Sequence, residues 1–181
     1  MKRSSRISLL LAVAVSAVLQ IIPAASGAEK VFRAGAHAID VTPTKLPVRV
    51  AGSIRETWRE KITDKLHARA LVLDDGQTSI VIVTVDSCLM DREMLDAAKA
   101  AAAKVTGIPA ANMLISATHA HSAPAVMGCH GTEPHLDYRA WLTRRIAEGV
   151  IQAHKNLAPA KIGWGASDCP DFVFCRRWEM K

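Results

Sequence analysis

Two imidazoles one residue apart carry the clearest chemistry in this chain: Thr118-His119-Ala120-His121-Ser122-Ala123-Pro124. The segment follows Met113-Leu114-Ile115-Ser116-Ala117, an apolar run that reads as a buried strand, and it enters a proline-marked turn. In an extended segment, side chains at i and i+2 point the same way. Neutral imidazole is the commonest protein metal ligand, so His119 and His121 are candidate metal ligands. Zinc is the expected ion, because imidazoles suit it and a catalytic zinc site combines about three protein ligands with one open position. The competing reading is a hydrogen-bonded pair that orients a loop.

Three more residues are candidate catalytic groups: His67, Arg69 and Asp86. Asp86 follows the apolar run 80–85. A carboxylate there could ligate a metal, accept a hydrogen bond from a ligating imidazole, or cap a helix. His67 and Arg69 alternate onto one face of a strand. An arginine beside an imidazole disfavours the charged imidazole and could hold an oxyanion or carboxylate. Two solvated side chains on an edge strand would show the same spacing. His37, His130, His135 and His154 carry weaker signals. His154 has charged neighbours in a helix, whereas His130 and His135 lie in the loop after the pair, within reach of a metal there. Nothing around Ser122 resembles a nucleophile elbow. A glycine-rich phosphate loop and a His-Glu-x-x-His helix are both absent from the sequence.

These residues need elements to hold them. Strands are expected at 32–41, 66–73, 78–85, 112–117 and 161–166, with Asp74-Asp75-Gly76-Gln77 as a tight hairpin turn. The third strand is nearly continuous in β-branched residues, which predicts burial on both faces. Residues 91–104 read as a helix with Met94, Ala98, Ala101 and Val105 inward, stopped by Gly107-Ile108-Pro109. Residues 136–156 read as a second, with Leu142, Ile146, Val150 and Ile151 inward. Residues 47–65 read as a surface loop that could rim a site. The order β-β-β-α-β-α-β predicts an α/β fold with a mixed, largely parallel sheet and flanking helices. Ligands sit at the carboxyl ends of strands in such sheets, which would place Asp86 beside His119 and His121.

With 181 residues the chain is long enough for one domain with a real core. Residues 1–28 form a basic start (Lys2, Arg3, Arg6), an apolar stretch and a small-residue exit at Ala25-Ser26-Gly27-Ala28, the pattern of a secretory signal peptide. An exported protein, periplasmic or extracellular, is therefore expected, with about 153 residues left after cleavage. Without the leader's three cations the balance is 20 basic to 17 acidic residues, near +3. No basic run remains to suggest nucleic acid. In an oxidising compartment Cys88, Cys129, Cys169 and Cys175 could form one or two disulfides, Cys169 with Cys175 among them, or stay free. The sequence has no Cys-x-x-Cys pair that would mark a structural zinc site.

Taken together, four segments resemble the neutral/alkaline non-lysosomal ceramidase family. Gly35-Ala36-His37-Ala38-Ile39-Asp40-Val41-Thr42-Pro43 resembles its opening glycine, Asp-Ile-Thr and Pro pattern. His67-Ala68-Arg69-Ala70-Leu71-Val72-Leu73 is similar to its His-x-Arg strand, and Val83-Thr84-Val85-Asp86 to its strand ending in Asp. Thr118-His119-Ala120-His121-Ser122-Ala123-Pro124 resembles its Thr-His-Thr-His-Ser signature, with Ala120 in place of Thr. The resemblance covers residues 33–124, the N-terminal part of the family's catalytic domain. It implies half of a layered αββα-type domain in an exported zinc amidohydrolase, in which zinc-activated water attacks an N-acyl sphingoid amide of the ceramide class. One of His119 and His121 would be a zinc ligand, with the other beside the metal and His67 and Asp86 in support. A lipid-like substrate also implies peripheral contact with a membrane. The family's remaining ligands, a histidine, a glutamate and a tyrosine, lie far downstream of the signature. The one tyrosine, Tyr138, does not match that context. A truncated or partial sequence, inactive or much weakened, is therefore expected. Two alternatives stand beside this reading. One is a non-catalytic secreted binding or structural domain on the same scaffold. The other is a metallohydrolase of a different amide or ester. An incomplete domain would also leave apolar surface exposed and tend to associate.

Overall fold

The computed structural model describes residues 30–172 together with 177, 179 and 180. The expected leader and Cys175 lie outside the described residues. Strand β1 (Arg33–Asp40) is followed by two short strands, β2 (Val48–Val50) and β3 (Thr57–Arg59), then by β4 (His67–Asp74) and β5 (Ser79–Val85). Helix α1 (Arg92–Thr106), β6 (Met113–Ala117), α2 (Leu136–Lys155) and the two-residue β7 (Ala158–Pro159) complete the order. The main sheet runs β6-β5-β4-β1-β7, with β2 and β3 pairing separately.

The α/β class and the mixed sheet agree with the sequence, but the sheet is mostly antiparallel. Among the described residues only β5 and β6 run parallel. The reason is local. Asp74 and Asp75 accept hydrogen bonds from the backbone of Gly76, Gln77 and Thr78, closing a turn too short for anything but an antiparallel hairpin. The crossover through α1 gives the one parallel pair. The expected strand at 161–166 does not form: residues 161–169 are irregular and exposed. The chain instead pairs Ala158 and Pro159 antiparallel to β1.

Both helices contribute to one core on one side of the sheet. Ile39, Ala68, Ala70, Val72, Val81, Val83, Val85, Met113 and Ile115 face Met94, Ala98 and Ala102 of α1 and Leu142, Ile146 and Val150 of α2. The α1 stripe is therefore the i, i+4 row 94-98-102, and Val105 points to solvent. Gly35 lets the end of α2 close onto β1: a Cβ there would fall 2.2 Å from the Ala153 carbonyl oxygen.

The other face is open. Ala36, Leu71, Ile82 and Leu114 stand in one cross-strand row. Ile80 is 41% exposed, Ile82 39% and Leu114 62%. The third expected strand, β5, is thus buried on one face only. Its β-branched run reflects an apolar outer face without a cover among the described residues.

Asp91 caps α1 by accepting the Met94 N–H at 2.9 Å. It also receives both Arg139 Nη atoms of α2, so one carboxylate starts one helix and ties it to the other. That guanidinium holds the Asp91 carboxyl below the usual carboxylate range, against the opposing effect of burial.

Candidate metal centre

The site is built at the carboxyl ends of the two parallel strands. Thr118 N–H donates to the Val85 carbonyl, carrying the β5–β6 pairing one residue past Ala117. Ala120 N–H then donates to the Ser87 carbonyl at 3.1 Å. The tip 118–121 is thereby stitched to the turn 86–89.

His119 and His121 do converge, though not by strand alternation. β6 ends at Ala117, and His119 has φ 62, in the left-handed region. A non-glycine residue there is uncommon, and histidine is among the types enriched in it. The turn brings the rings together edge to face, with centroids 4.7 Å apart and planes at 72°.

A third donor joins them: Cys88, expected from the sequence either in a disulfide or as a free thiol, is free. Cys88 leaves β5 by the Asp86-Ser87-Cys88 turn and is buried beside Ala51 and Ala125, with Leu89 packed on the group. Its Sγ lies 4.0 Å from His119 Nδ1, and its carbonyl oxygen lies 3.0 Å from the same nitrogen. If Nδ1 carries the proton and donates to that carbonyl, Nε2 keeps its lone pair free for a metal. One donor atom each from Cys88, His119 and His121 falls within 4.8 Å of the others. Burial, and then the neighbouring Cys129, push the Cys88 thiol up. Cys88, Cys129 and Cys169 are all free thiols.

Residues 47–65, expected to be a surface loop, instead carry the buried strand β2, and their 49–52 stretch borders the histidine loop. β2 and β3 pair, with the Arg49 guanidinium over the Trp58 ring. The strand end is pinned to the histidine loop by Ala51 N–H to Ala123 O and Ala125 N–H to Arg49 O. Gly52 follows, with φ 89, against the His121 ring.

His67, Arg69 and Asp86 form a second cluster. Asp86 N–H donates to the His67 carbonyl at 2.9 Å, and His67 N–H donates back to Asp86 Oδ2 at 2.9 Å. Arg69 Nη1 donates to both Asp86 oxygens, at 3.1 and 3.0 Å, and Nη2 lies 3.4 Å from His67 Nδ1. Asp86 therefore neither caps a helix, since Asp91 does that, nor belongs to the donor group around the histidines. Neither His130 nor His135 belongs to that group either. The His135 N–H donates to the Ala125 carbonyl, and its side chain lines a cleft of about 480 Å³ with Lys45, Val48, Tyr138 and Trp141. Tyr138 is a core residue whose hydroxyl donates to the Val41 carbonyl at 2.6 Å. Burial, then the charges of Asp40 and Asp86, push its phenol well up.

The motif around Asp40 is a clasp. Asp40 Oδ1 accepts the Thr42 N–H at 2.8 Å, and Thr42 Oγ1 accepts the Leu66 N–H at 2.9 Å. Together they set where β1 ends and β4 begins.

No protein-family model matches the sequence, and no curated protein matches it. Solved structures do share its fold. Neutral ceramidase from Pseudomonas aeruginosa superposes with a TM-score of 0.62 at 21% identity, covering 71% of this chain and 22% of that one. A ceramidase complexed with C2 gives 0.56 at 19% identity, with the same coverage. The chain thus spans about a fifth of the length of the ceramidases it matches, and shares their fold over that span.

Proposed function

We propose that this chain is the N-terminal part of an exported, zinc-dependent hydrolase of ceramidase type, cleaving an N-acyl sphingoid amide. The observation that carries the reading is the convergence of His119 and His121 at the carboxyl end of a parallel strand pair, on a fold shared with neutral ceramidase. Two imidazoles with a sulfur nearby suit a zinc-like ion by donor chemistry.

Zinc, when bound, supplies Lewis acidity toward a carbonyl and a water that ionises near neutral pH. The chain's own residues do the rest. His119 and His121 would hold the ion, with the tautomer of His119 set by the Cys88 carbonyl. Asp86 fixes Arg69 and the backbone of His67, presenting a guanidinium and an imidazole at the same end of the sheet. There they would orient an acyl or hydroxyl oxygen of the substrate. Cleavage of residues 1–28 would release the domain outside the cytoplasm. Among the described residues no helix is long and apolar enough to cross a membrane, and the lipid-like substrate would be met by peripheral contact.

The test uses the purified chain, with zinc content by elemental assay and hydrolysis of a fluorescent N-acyl sphingosine. Stoichiometric zinc that disappears in His119→Ala and His121→Ala supports the reading, together with amide turnover, however slow. Wild-type protein that binds no metal and releases no fatty acid overturns it.

A further inference from the structure

We infer that Cys88 is a third metal ligand, so that Cys88, His119 and His121 form one Cys-His-His site. This rests on the proposed metal-binding role of the histidine pair and deepens it by naming the donor set. The ceramidase resemblance makes one of the two histidines a ligand; the second imidazole and the thiol come from the geometry.

Three observations meet at Cys88. Its sulfur and one nitrogen of each ring lie within 4.8 Å of one another. A tetrahedral ion with bonds of about 2.0–2.3 Å needs its donors roughly 3.3–3.8 Å apart, so closing the set takes motions on the order of 1 Å. Second, Cys88 is 1% exposed and free, with its sulfur beside the His119 ring. Third, hydrogen bonds keep the three together: Ala120 N–H to Ser87 O along the backbone, and the His119 ring through Nδ1 to the Cys88 carbonyl. The left-handed backbone of His119 is the conformational cost of that arrangement. It turns the ring back over the 86–89 turn.

A thiolate with two imidazoles is a soft donor set, favouring zinc, cobalt or cadmium over magnesium or calcium. Binding breaks the S–H bond: the proton leaves to solvent as the sulfur–metal bond forms, with no change in oxidation state. Three ligands from this chain are one fewer than a closed structural zinc site takes.

The full chain, reduced and free of chelator, is titrated with cobalt(II). The expected spectrum has tetrahedral d–d bands and a near-ultraviolet thiolate-to-cobalt charge-transfer band. That band persists in Cys129→Ser/Cys169→Ser/Cys175→Ser and is lost in Cys88→Ser. The triple variant leaves the buried thiol untouched. X-ray absorption of its zinc form, expected to show a sulfur scatterer at about 2.3 Å, decides the matter even where Cys88→Ser does not fold. Cobalt bound without the charge-transfer band overturns the Cys88 assignment and leaves the histidine reading standing. A band that vanishes in the triple variant also overturns it. Protein that binds neither cobalt nor zinc overturns both.

Discussion

Gly52 lies directly against the His121 imidazole: a Cβ at this glycine would sit 2.4 Å from His121 Cγ and 2.6 Å from Nδ1. No heavy-atom pair tolerates that approach, so any side chain at 52 must displace the ring. The 48–52 segment is itself tied to residues 123–125 by backbone hydrogen bonds. Gly52 is thus a positioning residue, the wall that sets where His121 can point.

Gly52→Ala should therefore weaken zinc binding about 10- to 100-fold, the range seen when a residue supporting a ligand is lost. Its left-handed backbone, φ 89, would also cost stability. Gly131→Ala separates the two effects. Gly131 has φ 78, but nothing lies within 4 Å of its Cβ position. Both variants should lose about 1 kcal/mol by urea unfolding, and only Gly52→Ala should lose zinc affinity in a chelator competition. Equal zinc affinities in the two would refute the positioning role.

The strand ends, the hairpin turn and the two helices were legible because their signals are local: alternation, Asp-Asp-Gly-Gln, apolar stripes at helical spacing and a stop at Gly107. The side-by-side placement of Asp86 and the histidine tip also followed from order alone. What escaped the sequence was set by tertiary partners. The direction of β1 against β4 depends on the 41–66 excursion between them, which carries no periodic signal. The strand expected at 161–166 had the composition but finds no neighbour. Ile80 and Ile82 looked doubly buried because periodicity cannot distinguish a covered face from an apolar open one.

Within the site, His119 and His121 were visible by spacing, but the reason for their convergence was not, since i, i+2 alternation fails once His119 turns left-handed. Cys88 could have been found: it sits two residues past Asp86, at the end of the strand next to β6. A count of cysteines leaves it open between disulfide and free thiol; its place beside the histidine tip does not. Gly52 had no sequence signal apart from being a glycine in a polar loop.

Asp91 joins two helices, and its loss should be felt in both. Asp91→Ala removes the cap of α1 and leaves Arg139 facing only Glu93 and the Val126 carbonyl. A loss of about 2–3 kcal/mol is expected in urea unfolding. Asp91→Asn keeps a good capping side chain and loses only the charge, so it should retain about 1 kcal/mol of that stability. If the two variants are equally unstable, the cap contributes nothing and the ion pair carries the whole effect.

Acid should unfold the domain through carboxylates that the fold holds ionised. Thr42, by its hydrogen bonds, and then Lys65 bring Asp40 down to about 2 from 3.8. Asp74 is lowered chiefly by the Ser79 hydroxyl and then by Arg33, and Asp91 chiefly by Arg139. A folded-state value below the unfolded one means stability that is complete above the unfolded pKa and lost as pH falls through the folded one. The decline should lie between about pH 4 and pH 2, read from urea midpoints at successive pH values. Asp40→Asn should flatten the curve over that window. A wild-type midpoint unchanged from pH 5 to pH 2.5 would contradict the assignment.

The open sheet face should make the chain sticky. Ile80, Ile82 and Leu114 expose β-branched and aliphatic surface in neighbouring positions, with Leu114 on the edge strand β6. Exposed apolar patches of this kind bind hydrophobic dyes and promote association, and an unprotected edge strand adds to the tendency. Removing the patch costs little in the fold itself, because these side chains are only partly withdrawn from water. Ile82→Thr/Leu114→Thr should therefore shift stability by less than about 1 kcal/mol. It should also lower dye fluorescence and the concentration dependence of sedimentation. The inward counterpart Val83→Thr, on the same strand but fully buried, should do the opposite: lose stability and leave dye binding to the folded protein unchanged. Dye binding that persists in the double variant would place the sticky surface elsewhere, with exposed Trp164 and Ile162 the next residues to replace.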